Sequence, residues 1–206
     1  MMSATEVRVM DPKEVAFMLR LFLLRHAKSS WSDPDLHDFD RPLNKRGKKD
    51  PPKIALAMKE RGYCPDRILC SSSMRTKETL GGILPGLQGD VSLKLLDDLY
   101  EGHAPDYLVI MRAHAKDSNN LMIVGHNTGL HEIALRLITN TNTPLATDME
   151  IKFPTSALAV IDFDCDSWNM VTAQSGQLID FIKPRDIAID MHAILLENPA
   201  PAFFRR

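Results

Sequence analysis

Short apolar runs alternate along this chain with segments that carry apolar residues at helical spacing. The runs have the length of buried strands and lie at about 19–25, 67–71, 91–95 and 121–125. The other segments predict helices from Asp50 to Gly62, from Arg75 onward, from Pro105 to Ala115 and from Thr128 to Ile138. Strands that alternate with helices are typical of an α/β fold. The sequence therefore predicts a three-layer α/β/α sandwich with a mostly parallel central sheet.

The last third of the chain departs from this alternation. Three further apolar runs lie at 157–163, 168–173 and 178–182, and the segments between them are short. Because short turns suit antiparallel pairing, these runs are predicted to be strands near one edge of the sheet.

The spacing of apolar residues also indicates how the chain is divided. It never gives way to a linker, which favours a single domain over residues 18–206. Residues 1–17 precede the first strand and are interpreted as a flexible or loosely docked N-terminal extension. Apolar positions within 188–206 predict a packed tail or a surface for a partner.

Composition narrows the class of protein. Of the 206 residues, 44% are hydrophobic and 25% are charged, which is ordinary for a globular domain. The net charge of -2 gives no reason to expect nucleic acid or an anionic membrane as a partner. No apolar run approaches the ~18–20 residues of a membrane span. Three widely spaced cysteines fit reduced thiols, so the sequence predicts a cytoplasmic protein, and no Cys/His spacing indicates a zinc site.

The candidate chemistry lies where the apolar runs end. Arg25 and His26 close the first run. Arg75 follows the second run, and His126 follows the run at 121–125. Nearby positive charge favours the neutral form of a histidine, which is a nucleophile, and arginine binds phosphate in a bidentate manner. Since strand ends commonly form ligand sites in α/β sheets, this pattern predicts covalent phosphoryl transfer through His26.

Several spaced motifs give this prediction a family context. They are Leu-Arg-His-Ala-Lys-Ser at 24–29, Asp-Arg-Pro-Leu-Asn-Lys-Arg-Gly at 40–47, Ser-x-x-x-Arg-x-x-x-Thr at 71–79, Gly-His-Asn at 125–127 and Pro-Thr-Ser-Ala at 154–157. In this order they resemble the histidine phosphatase superfamily, and in particular its SixA-type phosphohistidine phosphatase branch. The resemblance implies a phosphoglycerate-mutase-like fold, a nucleophilic His26 and a phosphoryl pocket completed by Arg25, Arg75 and His126. It implies neither a cofactor nor a metal.

The general acid is left open between two carboxylates. The family's Leu-x-Glu pattern falls on Leu96-Asp97-Asp98 and nominates Asp98, while Glu101 in Tyr-Glu-Gly is the alternative. An acid matters less for a phosphoramidate, because a protonated imidazole already leaves easily.

Three more residues are candidates for substrate binding by resemblance. Ser29 follows the nucleophile, and Ser156 lies in the Pro-Thr-Ser-Ala motif. Arg41 is expected either to reach the substrate or to anchor its loop to Asp38 or Asp40, with anchoring slightly favoured.

The resulting hypothesis is a metal-independent phosphatase that removes phosphate from phosphohistidine in proteins or peptides. A small phosphate ester as the substrate is one alternative. A module that binds phosphate or a phosphoprotein without turnover is another, from a different class. The scattered histidines argue against a metal-dependent hydrolase.

Overall fold

A six-stranded mixed sheet forms the centre of the computed structural model, which describes residues 18–187. The strands are β1 (Met18–Arg25), β2 (Arg67–Ser71), β3 (Ser92–Leu96), β4 (Asn120–Gly125), β5 (Leu158–Asp164) and β6 (Gly176–Ile182). The helices are α1 (Asp50–Glu60), α2 (Met74–Ile83), α3 (Ala104–His114), α4 (Gly129–Leu137) and α5 (Pro144–Ile151). The predictions for 1–17 and 188–206, including the outer domain boundaries, lie outside the described residues.

The strand order is β3-β2-β4-β1-β5-β6. Strands β1 to β4 are mutually parallel, whereas β5 pairs antiparallel with β1 and β6 pairs antiparallel with β5. The central position of β1 follows from its sequence, because a nearly continuous apolar strand can be buried on both faces. The predicted α/β sandwich with a mostly parallel sheet is confirmed.

Helices cover both faces of this sheet. Helices α1 and α2 pack over one face, where Phe22 and Leu24 of β1 belong to the same apolar cluster as Ile54 and Met58 of α1. Helices α3, α4 and α5 cover the other face in a second cluster that includes Leu21, Leu23, Tyr107, Leu130 and Met149. Alternate residues of β1 thus enter opposite cores, as the two-residue period of a strand requires.

One local prediction is wrong, and one helix has no counterpart in the predictions. The run at 168–173 is not a strand, because Trp168–Met170 forms a 3-10 turn that the Ser167 hydroxyl caps at the Asn169 amide. The buried Trp168 ring donates a hydrogen bond of 2.6 Å to the Ser118 carbonyl, which fixes this turn. Helix α5 was not predicted. It begins where the Thr143 hydroxyl accepts the Ala146 amide at 3.2 Å.

The parallel strands end in one row. In the pairing register Arg25 lies opposite Gly125, Cys70 lies opposite Val124, and Ser71 lies opposite Leu96. The residues that directly follow β1 and β4 therefore emerge side by side, with the start of α2 beside them. This row of strand ends is where ligands bind in open α/β sheets.

Candidate active site

His26 follows β1, and its backbone holds it firmly at the row of strand ends. Its amide donates to the Gly125 carbonyl at 3.0 Å. Its ring nitrogen Nδ1 lies 2.8 Å from the Ala27 carbonyl oxygen. Because a carbonyl oxygen only accepts, Nδ1 carries the proton in the neutral ring and Nε2 carries the free electron pair. The chain therefore prepares Nε2 of His26 as a nucleophile.

The surroundings of His26 favour this neutral form. Burial lowers the pKa of the ring to about 4, and the positive charges of Arg75 and Arg25 add to the effect, while the Ala27 hydrogen bond opposes it. The residue is only 9% exposed. At neutral pH the ring is thus unprotonated and able to attack.

His126 faces His26 across the site. The two ring centres are 5.0 Å apart, and Nε2 of His126 lies 3.0 Å from the Ser71 hydroxyl at the end of β2. Burial, followed by the proximity of His26 and Arg75, lowers the pKa of His126 to about 2. A neutral His126 still offers one N–H donor to a bound oxyanion.

Tyr107 of α3 fixes the chain around His126. The His126 amide donates to the Tyr107 hydroxyl at 3.1 Å. A Cβ atom on Gly125 would lie 2.3 Å from that hydroxyl, so the position before His126 requires glycine. Sequence reasoning gave Tyr107 no role.

Two arginines supply the positive charge. Arg25 donates from Nη1 to the Phe153 carbonyl at 2.7 Å, and its buried Nε has no hydrogen-bond partner among the described residues. Burial and the charge of Arg75 lower the pKa of Arg25. The two guanidinium groups therefore repel each other beside His26, an arrangement that an anion relieves.

Arg75, in the first turn of α2, is held by Asp38. Its Nη1 donates to the Asp38 carbonyl at 2.6 Å and its Nη2 to the Asp38 carboxylate at 3.0 Å. The same carboxylate accepts the Tyr100 hydroxyl at 2.7 Å and Nη1 of Arg41 at 2.5 Å. Partial burial raises the pKa of Asp38, but the Tyr100 hydrogen bond and the charges of Arg75 and Arg41 outweigh it and bring the pKa to about 2. Asp38 is therefore ionised at neutral pH.

A cavity of about 360 Å³ opens onto His26, Arg75 and His126, whereas Arg25 lies beside Arg75 without being one of its wall residues. Its walls are formed by His26, Asp38, Arg75, Tyr100, Glu101, Gly102, His103, His126, Asn127 and Thr128. A neighbouring cavity of about 540 Å³ shares Tyr100, Glu101 and Gly102 and is also lined by Asp98. Of the two candidate acids, Glu101 thus borders the cavity that contains His26, whereas Asp98 borders only the neighbouring one.

The three candidates for substrate binding are placed differently. Arg41 donates to the Ser30 carbonyl and to the Ser29 hydroxyl, each at 2.9 Å, in addition to its bond with Asp38. Neither Ser29 nor Arg41 is among the wall residues of the cavity. The bonds of Arg41 anchor the loop, which is the alternative slightly favoured for it from the sequence.

Ser156 lies directly behind the nucleophile. Its amide is 3.1 Å from the Arg25 carbonyl and 3.2 Å from the His26 carbonyl. Its buried hydroxyl has no hydrogen-bond partner among the described residues. The structure thus brings Ser156 to the backbone that carries the nucleophile, although not to the cavity wall.

The cavity wall also includes residues for which the sequence predicts no role in the site: Asp38, Tyr100, Gly102, Asn127 and Thr128. From the sequence, Asp38 is expected only as a possible anchor for Arg41. The side-chain amide of Asn127 donates to the Phe153 carbonyl at 3.1 Å. Tyr100 and Asn127 lie within the Tyr-Glu-Gly and Gly-His-Asn motifs, and Asp38 lies two residues before the motif at 40–47.

Two absences within residues 18–187 bear on the class of site. No group of three or more His, Cys, Asp or Glu side chains is arranged there to hold a metal ion. Within the same residues, no helix has the length and apolar character needed to cross a membrane.

Comparison with known proteins agrees with this geometry. The model of the histidine phosphatase superfamily (branch 1) matches residues 21–110. A crystal structure assigned as the phosphohistidine phosphatase SixA of Agrobacterium tumefaciens is 30% identical, with a TM-score of 0.67 over 81% of this chain and 98% of that one. The structure of a protein histidine phosphatase SixA complexed with tungstate has the same TM-score at 20% identity and covers 82% of this chain and 100% of that chain.

Relatives identified by sequence are themselves uncharacterized. A chloroplastic protein of Arabidopsis thaliana is 33% identical over 166 residues, which are 76% of this chain and 72% of that protein. A protein of Mycobacterium leprae is 30% identical over 79% of this chain and its own full length. The chain belongs to the histidine phosphatase superfamily.

Proposed function

We propose that this protein is a metal-independent phosphatase that forms a phosphohistidine on His26 and acts on phosphohistidine in proteins. The observation that carries the proposal is the bond between Nδ1 of His26 and the Ala27 carbonyl. It leaves Nε2 unprotonated beside two arginines and a second histidine. This arrangement fits nucleophilic attack on a phosphoryl group better than any other chemistry available to these residues.

In the first step Nε2 of His26 attacks phosphorus in line with the bond to the leaving group. The new N–P bond forms as the old bond breaks, and its electron pair departs with the leaving group. Negative charge on the equatorial phosphoryl oxygens is stabilised by N–H donors of Arg25, Arg75 and His126. The ring of His26 becomes positively charged, and the Ala27 carbonyl stabilises it through the Nδ1 proton.

In the second step water attacks the phosphorus of phosphorylated His26. The water loses a proton to Glu101, inorganic phosphate forms, and the electron pair of the N–P bond returns to Nε2. His26 is thereby restored to its neutral state. For an ester substrate Glu101 is also the residue that protonates the leaving oxygen in the first step, because it is the candidate acid on the cavity wall.

The choice of substrate is supported by resemblance and by the leaving group. The relative assigned as SixA is a phosphohistidine phosphatase by name. The imidazole ring of a phosphohistidine substrate can be protonated before the N–P bond breaks, so its departure depends less on proton transfer from Glu101. The position of Glu101 favours a second candidate, a small phosphate ester, which does need an acid. Free cysteines in the described region support a cytoplasmic location.

Turnover of a phosphohistidine peptide and of aryl and alkyl phosphates, measured as kcat/KM with and without EDTA, tests the proposal. His26→Ala should abolish the covalent phosphoenzyme and nearly all turnover. His114→Ala is a matched control, because His114 ends α3 about 15 Å from the helix start that borders the cavity. Loss of activity with EDTA would refute the metal-free mechanism. Phosphate binding without turnover of any substrate would favour a binding module instead.

A further inference from the structure

Asp38 connects three segments that meet at the cavity. It begins a short 3-10 turn, Asp38–Asp40, in the long loop between β1 and α1. Its carboxylate accepts hydrogen bonds from Arg41 in the same loop, from Arg75 in α2 and from Tyr100 after β3. The loop and the segment after β3 are also joined by an edge-to-face contact between Phe39 and Tyr100, with ring centres 4.9 Å apart.

Arg75 is buried beside another positive charge, so an anionic partner such as the Asp38 carboxylate stabilises it. Arg75 is 7% exposed and close enough to Arg25 for their charges to repel. This repulsion favours movement of the Arg75 guanidinium away from Arg25. The ionised carboxylate of Asp38 opposes that movement through a charge-assisted hydrogen bond.

The bonds to Asp38 leave Arg75 able to bind a phosphoryl group. A guanidinium has five N–H donors, and Asp38 takes one from Nη1 and one from Nη2. Three donors remain. Because the backbone carbonyl and the carboxylate of Asp38 hold two nitrogens at once, they fix the plane of the guanidinium and the direction of the remaining donors.

We propose that Asp38 is a positioning residue that holds Arg75 in the orientation needed to stabilise the phosphoryl group in the transition state. This inference rests on the proposed function of the site. Asp38 acts through Arg75 and needs no contact with the substrate. Tyr100 and Arg41 support it by holding the carboxylate in place.

The test is Asp38→Asn, with Asp40→Asn as the matched control. Asp40 lies in the same turn and is exposed, and its carboxylate makes no hydrogen bond or ion pair to the described residues. For Asp38→Asn, kcat on an aryl phosphate should fall between about 10- and 100-fold, since small misplacement of a catalytic group costs that much. KM should change only a few-fold, and Asp40→Asn should match the wild type.

Inhibition distinguishes positioning from a general structural effect. Orthovanadate mimics the five-coordinate transition state, so its Ki should rise by the factor by which kcat/KM falls, whereas the Ki of inorganic phosphate should rise much less. In an Arg75→Ala background, Asp38→Asn should have less than about a twofold effect, because two residues that act as one unit are not additive. Thermal unfolding of each variant shows whether the fold is retained.

Three outcomes would overturn the proposal. The first is an equal rise in the Ki values of vanadate and phosphate. The second is that Asp38→Asn lowers kcat in the Arg75→Ala background by as large a factor as it does in the wild type. The third is tighter phosphate binding by Asp38→Asn, which would make the carboxylate a competitor of the substrate. If the wild type neither turns over nor forms a phosphoenzyme, the proposed function fails. Calorimetric vanadate binding by Asp38→Asn and Asp40→Asn then still tests the positioning of Arg75.

Discussion

The depressed pKa of His26 has a measurable effect on the reaction at acidic pH. Burial is its main cause, and it lowers the pKa from 6.5 to about 4. At 1.36 kcal/mol per pKa unit, this shift corresponds to about 3 kcal/mol of preference for the neutral ring. At about pH 5.5 an ordinary histidine is neutral in roughly a tenth of molecules, whereas His26 is neutral in nearly all of them.

Two measurements check this value. An NMR titration of labelled histidines, with His26→Ala used to assign the signal, should show His26 titrating near pH 4. The yield of phosphoenzyme in rapid-quench experiments should hold down to about pH 5 and fall below it as His26 protonates. Unlike kcat, this yield reports on the nucleophile before the hydrolysis step.

The same titration separates burial from charge. Arg75→Ala removes one neighbouring positive charge but leaves the ring buried, so the pKa of His26 should rise only part of the way to 6.5. Arg75→Lys, which keeps the charge, is the control. A wild-type pKa near 6.5 would refute the reasoning entirely. A return to 6.5 in Arg75→Ala alone would show that charge, not burial, is the main cause.

Three further outcomes are expected. Glu101→Gln should lower kcat on an alkyl phosphate by about 100-fold or more, whereas Asp98→Asn should leave kcat on the same substrate unchanged. Equal effects of the two variants would remove the basis for choosing Glu101. Gly125→Ala should reduce the free energy of unfolding by about 1–3 kcal/mol in urea denaturation, because its Cβ would collide with the Tyr107 hydroxyl. Finally, His26 and His126 both have pKa values below 6.5 in the folded protein. As the pH falls, the unfolded chain therefore binds protons at a higher pH than the folded protein does. The free energy of unfolding should fall as the pH drops from about 6.5 towards 4.

The sequence predicts much of the fold because its strongest pattern is also its main structural determinant. Apolar runs that end in Arg25-His26 and before His126 mark the carboxyl ends of parallel strands, and those ends must meet at one edge of the sheet. The order of the strands is not encoded in any local pattern. The insertion of β4 between β1 and β2 depends on long-range packing.

The rest of the site depends on loops, which carry no periodic signal. Asp38 and Tyr100 belong to different loops, and only the folded chain brings the Tyr100 hydroxyl to the Asp38 carboxylate. The choice between Asp98 and Glu101 likewise depends on the path of the chain after β3. Helix α5 could not be predicted from the apolar pattern because it is short and lacks a clear apolar stripe. Its Leu145 and Ile151 side chains are exposed.

The insertion of β4 also sets the order in which activity can appear during folding. Both neighbours of β1 are remote in the sequence, since Arg20 pairs with Asn120 and Leu24 pairs with Leu158. Such distant pairing makes loop closure costly and folding comparatively slow. A chain still emerging from the ribosome contains His26 early, but the strand that supports it and the histidine that faces it come about 100 residues later. Until β4 is in place, His26 lacks both the Gly125 carbonyl that accepts its amide and the His126 ring opposite it, so the proposed phosphoryl transfer requires this late strand.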